Sequence, residues 1–418
     1  MQTQKRLSIS KNAFYNSVGT IFYCFCQWII SALLVVHLSP EETSVSNTGL
    51  LQLAISITNI FYVISIYSIR TYQISDTENK YSNGDYIGSR FVTAIISVLL
   101  CVLYVLILGY STKSVLCIVF YMIYKLNETF SDVLHGIDQK NYRMDYVGIS
   151  YILRGVVMTV VFAVVLLVTK DVLIAVIAMA FTTLAVVALY DVRCTAQFGS
   201  VKPTFNKNAI QALLITCMPA VISTAAFTAI VSIPRQILEG MYGEEALGYY
   251  GTISTPLVVV QVIATGIFNP MLTELSELYR DNKILDFVKR LLKNLVLLIL
   301  IVVAVYLCVA FFGEFAVGLA FGQKFVPYTY LMYSMIGCTA LYVISWLFTN
   351  VLIIMRKLKT CMVASLISLA VSLILAKPFI NLFYMNGVSF NIIISYIIHI
   401  LICAIMVYRT LKIKGKAS

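Results

Sequence analysis

Residues 295–312 read LVLLILIVVAVYLCVAFF, eighteen residues without a charge or an amide. As an α-helix this run is about 27 Å long at 1.5 Å per residue, close to the roughly 30 Å hydrocarbon core of a bilayer. Lys289, Arg290 and Lys293 precede it and Glu314 follows it, as expected where a helix leaves hydrocarbon for headgroups and water.

The rest of the chain repeats this pattern. Hydrophobic residues make up 60% of the 418 and charged residues 12%, against about 25% charged in soluble domains; mean hydropathy is +0.90. Twelve apolar stretches emerge, at 12–37, 47–72, 88–110, 114–136, 146–168, 171–193, 208–233, 246–273, 285–312, 326–355, 358–377 and 385–408. The splits after Lys170 and at Arg356–Lys359 rest on the least sequence. The first stretch is too long for a signal-peptide core and lacks a small-x-small cleavage site. The fold class expected is all-α, a polytopic membrane protein of about twelve transmembrane helices.

The net charge of +11 is distributed in short clusters between apolar runs, which is how topology is set rather than how nucleic acid is bound. With the N-terminus inside, cytoplasmic segments take 24 of the Lys and Arg residues, from Lys5, Arg6 and Lys11 to Lys414 and Lys416. Exterior segments take five (Lys113, Lys170, Arg235, Lys324 and Lys377), and Lys125 lies within a span. A miscounted helix would invert everything after it, so the bias supports twelve spans with both termini cytoplasmic. The expected domains are a six-helix lobe at 1–198, a linker at 199–207 (GSVKPTFNK) and a second lobe at 208–418. An acidic turn after the first span of each half, Glu41-Glu42 and Glu244-Glu245, hints at a repeat, and parallel halves are a common transporter plan.

Polar side chains in hydrocarbon seek a bundle interior or a cavity. Span 1 carries Asn16, Thr20, Tyr23, Gln27 and Ser31 at helical spacing; span 2 carries Gln52, Ser56 and Asn59, with Arg70 on the same face three turns on. Span 7 carries Thr224, Thr228, Ser232 and Arg235, and span 8 carries Tyr250, Ser254, Gln261, Thr265 and Asn269. The first two spans of each half are thus striped, which points to a central cavity between the lobes. For any one Ser or Thr taken alone, ordinary interhelical hydrogen bonding is the better reading; the four matched stripes together favour the cavity.

Span 4 is charged. Lys125, Glu128, Asp132 and His135 follow a 3-4-3 spacing and share one face. Each charge costs about 2.5–3.5 kcal/mol to insert, so such residues are functional candidates. Two readings stand side by side: an ion-coupling relay through Glu128, Asp132 and His135, or a packing network pairing Lys125 with Glu128 and Arg154 with Asp132.

No phosphate loop, HExxH or paired CxxC occurs, and the three histidines are scattered. Cys24 and Cys26 are too close in sequence to share a helix face. No cofactor, metal site or enzymatic constellation is expected.

Two stretches carry a resemblance: Ile69-Arg70-Thr71-Tyr72-Gln73-Ile74-Ser75-Asp76 with Lys80-Tyr81-Ser82, and Asp132-Val133-Leu134-His135-Gly136-Ile137-Asp138-Gln139-Lys140 running on to Leu153-Arg154-Gly155. With Pro234-Arg235 and Gly248-Tyr249-Tyr250, the set resembles bacterial polysaccharide flippases, the O-antigen and capsule branch of the multidrug/oligosaccharidyl-lipid/polysaccharide (MOP) exporter superfamily. Ser44 departs from the pattern, standing where Gly would be expected.

The resemblance implies two six-helix lobes around a central cavity. It also implies a substrate, undecaprenyl pyrophosphate carrying an oligosaccharide repeat unit, flipped from inner to outer leaflet of the bacterial cytoplasmic membrane for lipopolysaccharide or capsule. A monomer working beside glycosyltransferases and a polymerase is expected, with membrane lipid but no nucleic acid as partner. The substrate-binding candidates are Arg70 and Arg235, then Lys125 and Arg154, with the stripe amides Asn16, Gln27, Gln52, Asn59, Gln261 and Asn269. Rival classes are a cation-coupled drug or metabolite antiporter of the same superfamily and a membrane-embedded glycan polymerase. The first needs a carboxylate deep in the cavity; the second needs a reactive constellation at one face.

Overall fold

A computed structural model describes residues 7–76 and 80–416, with side chains for all of these but Ile9, 258–267, 269, 270, 273 and 413–416. Lys5 and Arg6 lie outside the described residues, as do the side chains of Gln261, Thr265 and Asn269. Among the described residues every regular element is helical.

Twelve long helices follow in order. Helix α1 runs through Ile9–Trp28, a π-helical Ile29–Leu34 and Val35–Leu38; α2 is Ser44–Ile66 with a short extension, Ile69–Ser75. Then come α3 (Asn83–Leu108), α4 (Thr112–Lys140), α5 (Met144–Thr169) and α6 (Val172–Val186, continuing through the π-helical Val187–Asp191 to Phe198). The stretch Lys207–Arg280 is two helices, α7 (207–242) and α8 (244–280), divided at Gly243. Its φ of 84° is open to glycine and costly for residues with a Cβ. The last four are α9 (Ile284–Phe321), α10 (Leu331–Ile354), α11 (Leu358–Phe383) and α12 (Met385–Lys416).

The thinly supported splits fall where expected, at left-handed Lys170 and Arg356. Three expectations change. Helix α2 does not run unbroken to 72: Tyr67 and Ser68 are both left-handed, so Arg70 sits on the extension rather than on the α2 stripe. Helix α7 continues through Pro234 to 242, which puts Arg235 inside it, two turns before its end, instead of in an exterior turn. Arg90 and Arg154, counted among the topology-setting cations, are 0% and 1% exposed within α3 and α5. The charge bias survives their removal.

Caps explain several boundaries. Ser82 and Asp85 form a reciprocal capping box at the start of α3. Asn12 Oδ1 accepts the Met144 N–H at 2.8 Å, so α1 caps α5. Among the described residues ten helices are long and apolar enough to cross a membrane, with α7 and the start of α8 counted as one. Helix α4 falls outside this set because its inner face is polar.

Packing forms two compact units, Met1–Val221 and Ile222–Ser418. The first turns of α7 therefore pack with the first unit, and Leu213 joins Ile69, Tyr86, Val133, Leu134, Ile137 and Val187 in its core. The compact units and the expected six-helix halves do not share a boundary. Within the first unit α4 packs against α2, α3 and α6, while α1 runs along α5. The segment before α7 is tied down: Thr204 donates its N–H to Gly84 O at 2.9 Å and its hydroxyl to Asp85 Oδ1 at 2.7 Å. In the second unit the ends of α8 and α9 meet α10, α11 and α12 around Phe287, Leu291, Val351, Ala364 and Cys403.

Candidate functional site

The polar face of α4 is the interior of the first unit. From its middle toward its C-terminal end it meets three sets of partners. In the first, Lys125 Nζ donates to Glu128 Oε2 at 2.8 Å. Glu128 Oε1 accepts from Tyr23 at 2.6 Å, Gln27 at 2.8 Å and Tyr124 at 3.1 Å. A buried carboxylate surrounded by four donors keeps its charge at modest cost; without them it would be strongly disfavoured.

In the second set Asp132 bridges two arginines. Arg90 reaches Oδ2 at 2.7 Å and Arg70 reaches Oδ1 at 3.3 Å. Arg90 also donates to the Ser65 carbonyl at 3.1 Å and to that of Ile66, the last carbonyls of α2 before its break. Helix C-termini leave such carbonyls without intrahelical partners, so Arg90 serves as an interhelical cap. Arg70, on the far side of the break, also donates to Gln139 Oε1 at 2.9 Å.

In the third set Asp191 accepts the Ser131 hydroxyl at 2.6 Å and faces His135 Nε2 at 3.8 Å. Asp191 closes a π-helical segment, a backbone form that concentrates at functional sites. Asp138, one turn further along α4, accepts from Thr195 at 3.2 Å.

Lys125 and Glu128 pair as the packing reading expected. The companion pair, Arg154 with Asp132, does not form. Asp132 is taken by Arg90 and Arg70, while Arg154 lies against the Tyr23 and Tyr151 rings, 5.2 and 5.1 Å from their centroids. The neighbours that reach Asp132 are on α3 and on the extension of α2, not on α5. Glu128 and Asp132 thus have separate hydrogen-bond partners, and His135 faces a third group, Asp191, at 3.8 Å. Arg90, Asp191, Tyr124 and Tyr151 were missed. The 3-4 spacing that singled out α4 also passes through Asp138; no comparable signal marks Arg90 or Asp191, which lie among apolar residues of other helices.

Among the stripe amides, Gln27 joins the Glu128 cluster and Gln52 donates to Ser31 O at 3.4 Å. Asn16 and Asn59 are half-buried.

The two motifs behind the resemblance bind each other. Arg70 holds Asp132 and Gln139. The buried Gln73 lies over Gly136, where a Cβ would come within 2.1 Å of Gln73 Oε1. Lys140 Nζ donates to Asp76 O at 2.9 Å. The Asp76 carboxylate gathers the loop behind it, accepting from Lys80 N–H, Tyr81 N–H and the Tyr86 hydroxyl. Burial alone would raise the Asp76 carboxyl, but these donors and the Lys140 ammonium hold it below its ordinary value.

The third motif forms a site of another kind, in the second unit. Arg235 lines a pocket of about 60 Å³ with Tyr250, Ser254, Cys338, Tyr342 and Tyr396. Its guanidinium is 5.7 Å from the Tyr250 ring and 3.5 Å from Ser254 Oγ. Among the described residues no carboxylate lies within 4.0 Å of it. The Tyr250 hydroxyl is held by Ser389 at 3.1 Å. A cation that is half-buried, edged with aromatic rings and left without a counter-charge can receive an anion.

A family model described as polysaccharide biosynthesis protein matches residues 9–276. The chain belongs to that family. It is 27% identical over 317 residues to the capsular polysaccharide biosynthesis protein CapF of Staphylococcus aureus, covering 75% of this chain and 78% of the relative. Its fold is that of MOP-superfamily transporters. A multidrug resistance MATE family transporter in its inward-facing conformation aligns with a TM-score of 0.69 at 10% identity over 96% of both chains. An outward-facing MATE family structure gives 0.63 at 13% identity over 98% of both. The family and the succession of apolar helices make this chain a multi-pass membrane protein of polysaccharide biosynthesis with a transporter fold.

Proposed function

We propose that the chain flips undecaprenyl-pyrophosphate-linked oligosaccharide repeat units from the inner to the outer leaflet of the bacterial cytoplasmic membrane, its termini on the cytoplasmic side. The observation carrying this is Arg235. A pyrophosphate linkage is the one strongly anionic part of such a substrate, and guanidinium recognises phosphate by paired, charge-assisted hydrogen bonds. The rings of Tyr250, Tyr342 and Tyr396 beside it suit sugar faces, which stack on aromatic rings through their C–H groups. The lipid tail needs no binding site, because it stays in hydrocarbon throughout. Glycosyltransferases that build the repeat unit and a polymerase that consumes it are the partners this reading implies.

With the interior negative, moving each anionic charge outward gains about 2.3 kcal/mol per 100 mV, so the membrane potential alone favours export. Likeness to multidrug carriers is one of fold, and Arg235 favours an anionic cargo over a cationic drug.

The test is transfer of a fluorescent undecaprenyl-pyrophosphate oligosaccharide in proteoliposomes. Loss of a charged hydrogen bond costs about 1.5–3 kcal/mol, so Arg235→Ala should slow transfer tenfold or more. Arg235→Lys should keep part of the rate. Undiminished transfer by Arg235→Ala at equal protein abundance would remove the assignment.

A further inference from the structure

The Lys125 ammonium is enclosed in a manner beyond the needs of one ion pair. Its Nζ lies 4.9 Å from the Tyr62 centroid, 5.3 Å from that of Tyr124 and 5.9 Å from that of Tyr121. These rings come from α2 and α4. Glu128 Oε2 completes the enclosure at 2.8 Å, with both side chains of the pair below 10% exposure. The other oxygen of Glu128 is taken by Tyr23, Gln27 and Tyr124, two of them from α1. Tyr23 and Tyr124 are themselves joined at 2.8 Å. Groups on two helices, α1 and α4, thus fix one carboxylate oxygen and leave the other to a cation. Several aromatic faces around one carboxylate are the usual architecture for recognising a free ammonium ion. Packing alone would be served by an apolar side chain in place of the pair.

We propose that Tyr62, Tyr121, Tyr124 and Glu128 form a binding site for a monovalent ammonium-type cation, which the chain fills with its own Lys125. The ligand is tethered, so the carboxylate is neutralised without an ion taken from solution. Ring faces with a single free carboxylate oxygen suit an alkylammonium, whereas hard cations take cages of oxygen. Glu128 is consequently closed to Na⁺ in the intact protein, and a free cation gains entry only when the lysine is removed. Lys125 acts here as a specificity device for cation occupancy, whichever lipid-linked cargo is carried.

The test uses full-length protein in non-ionic detergent, with methylammonium chloride as probe and ionic strength held by lithium chloride. Binding to the folded state alone stabilises it by RT ln(1 + [L]/Kd), so Tm climbs with the logarithm of ligand concentration above Kd. Wild type should show no dose-dependent shift in Tm with methylammonium or with Na⁺ beyond the lithium chloride control. Lys125→Ala should melt lower than wild type and regain Tm as methylammonium rises, with a smaller response to Na⁺. Lys125→Ala/Glu128→Gln should not respond. Lys125→Thr, a second truncation, should behave as Lys125→Ala. A dose-dependent shift in wild type beyond the lithium chloride control would show the site open and overturn the proposal. So would a truncation response no larger than that of wild type, or one that persists with Glu128→Gln. None of these readings involves transport, so their failure is separable from failure of the proposed function.

Discussion

Arg90 meets Asp132 at 2.7 Å with its guanidinium side chain wholly withdrawn from solvent. This contact joins α3 to α4, and because Arg90 also caps the carbonyls of Ser65 and Ile66 it holds the broken end of α2 as well. Asp132→Ala should therefore be among the most damaging single changes in the first unit. Removing one partner of a buried pair leaves an uncompensated charge and costs about 3–5 kcal/mol. Arg70→Ala should cost less, since Arg70 is 18% exposed and its contact with Asp132 is longer. Thermal unfolding of the two purified variants checks the order.

Arg235 and Arg70 were paired as candidates for pyrophosphate, and their surroundings now separate them. Arg70→Ala should lower both protein abundance in the membrane and surface polysaccharide, because it releases Asp132 and Gln139. Arg235→Ala should lower surface polysaccharide while abundance stays within about 20% of wild type, since a site change away from packing moves stability little. Quantitative blotting beside polysaccharide staining distinguishes the two.

The contact of Gly136 with Gln73 predicts a compensating pair. Gly136→Ala forces Gln73 out of a fully buried position and should destabilise by about 1–3 kcal/mol. Gln73→Ala in the same chain removes the clash and should restore much of the loss. A double-mutant cycle on Tm measures the coupling; additive effects would place the clash elsewhere.

Asp76 lies in the loop after the α2 extension, and its carboxyl is held below its ordinary value. A lowered folded-state pKa contributes stability that is complete above the unfolded value, near 3.9, and is lost as pH falls through the folded value. Asp76→Asn should cost about 1–3 kcal/mol at pH 7. The difference from wild type should stay constant down to about pH 5 and shrink below about pH 4. Melting curves across pH 3–7 test the sign.

Much of the fold was legible in residues. Long apolar runs must be helices in hydrocarbon, because backbone groups there have no water to bond, and basic clusters such as Lys289, Arg290 and Lys293 mark where a helix emerges. The face of α4 was legible too, since charges spaced 3-4-3 on an apolar helix can only point inward. Breaks were harder: Tyr67 and Ser68 look like ordinary helix residues, and the seventh apolar stretch ends at 233 although α7 runs on through Pro234.

The sequence by itself determined the membrane class, the succession of spans and the inward face of α4, and it offered the pairing of Lys125 with Glu128, neighbours on one helix, as one of two readings. Only the tertiary structure decided which cations meet Asp132, that the two motifs of the first unit grip each other, and that among the described residues no carboxylate lies within 4.0 Å of Arg235. The physical reason is one of range. Periodicity reports the direction a side chain takes from its own helix, whereas a contact depends on the neighbour brought opposite, and Arg90 lies 42 residues from Asp132 along the chain.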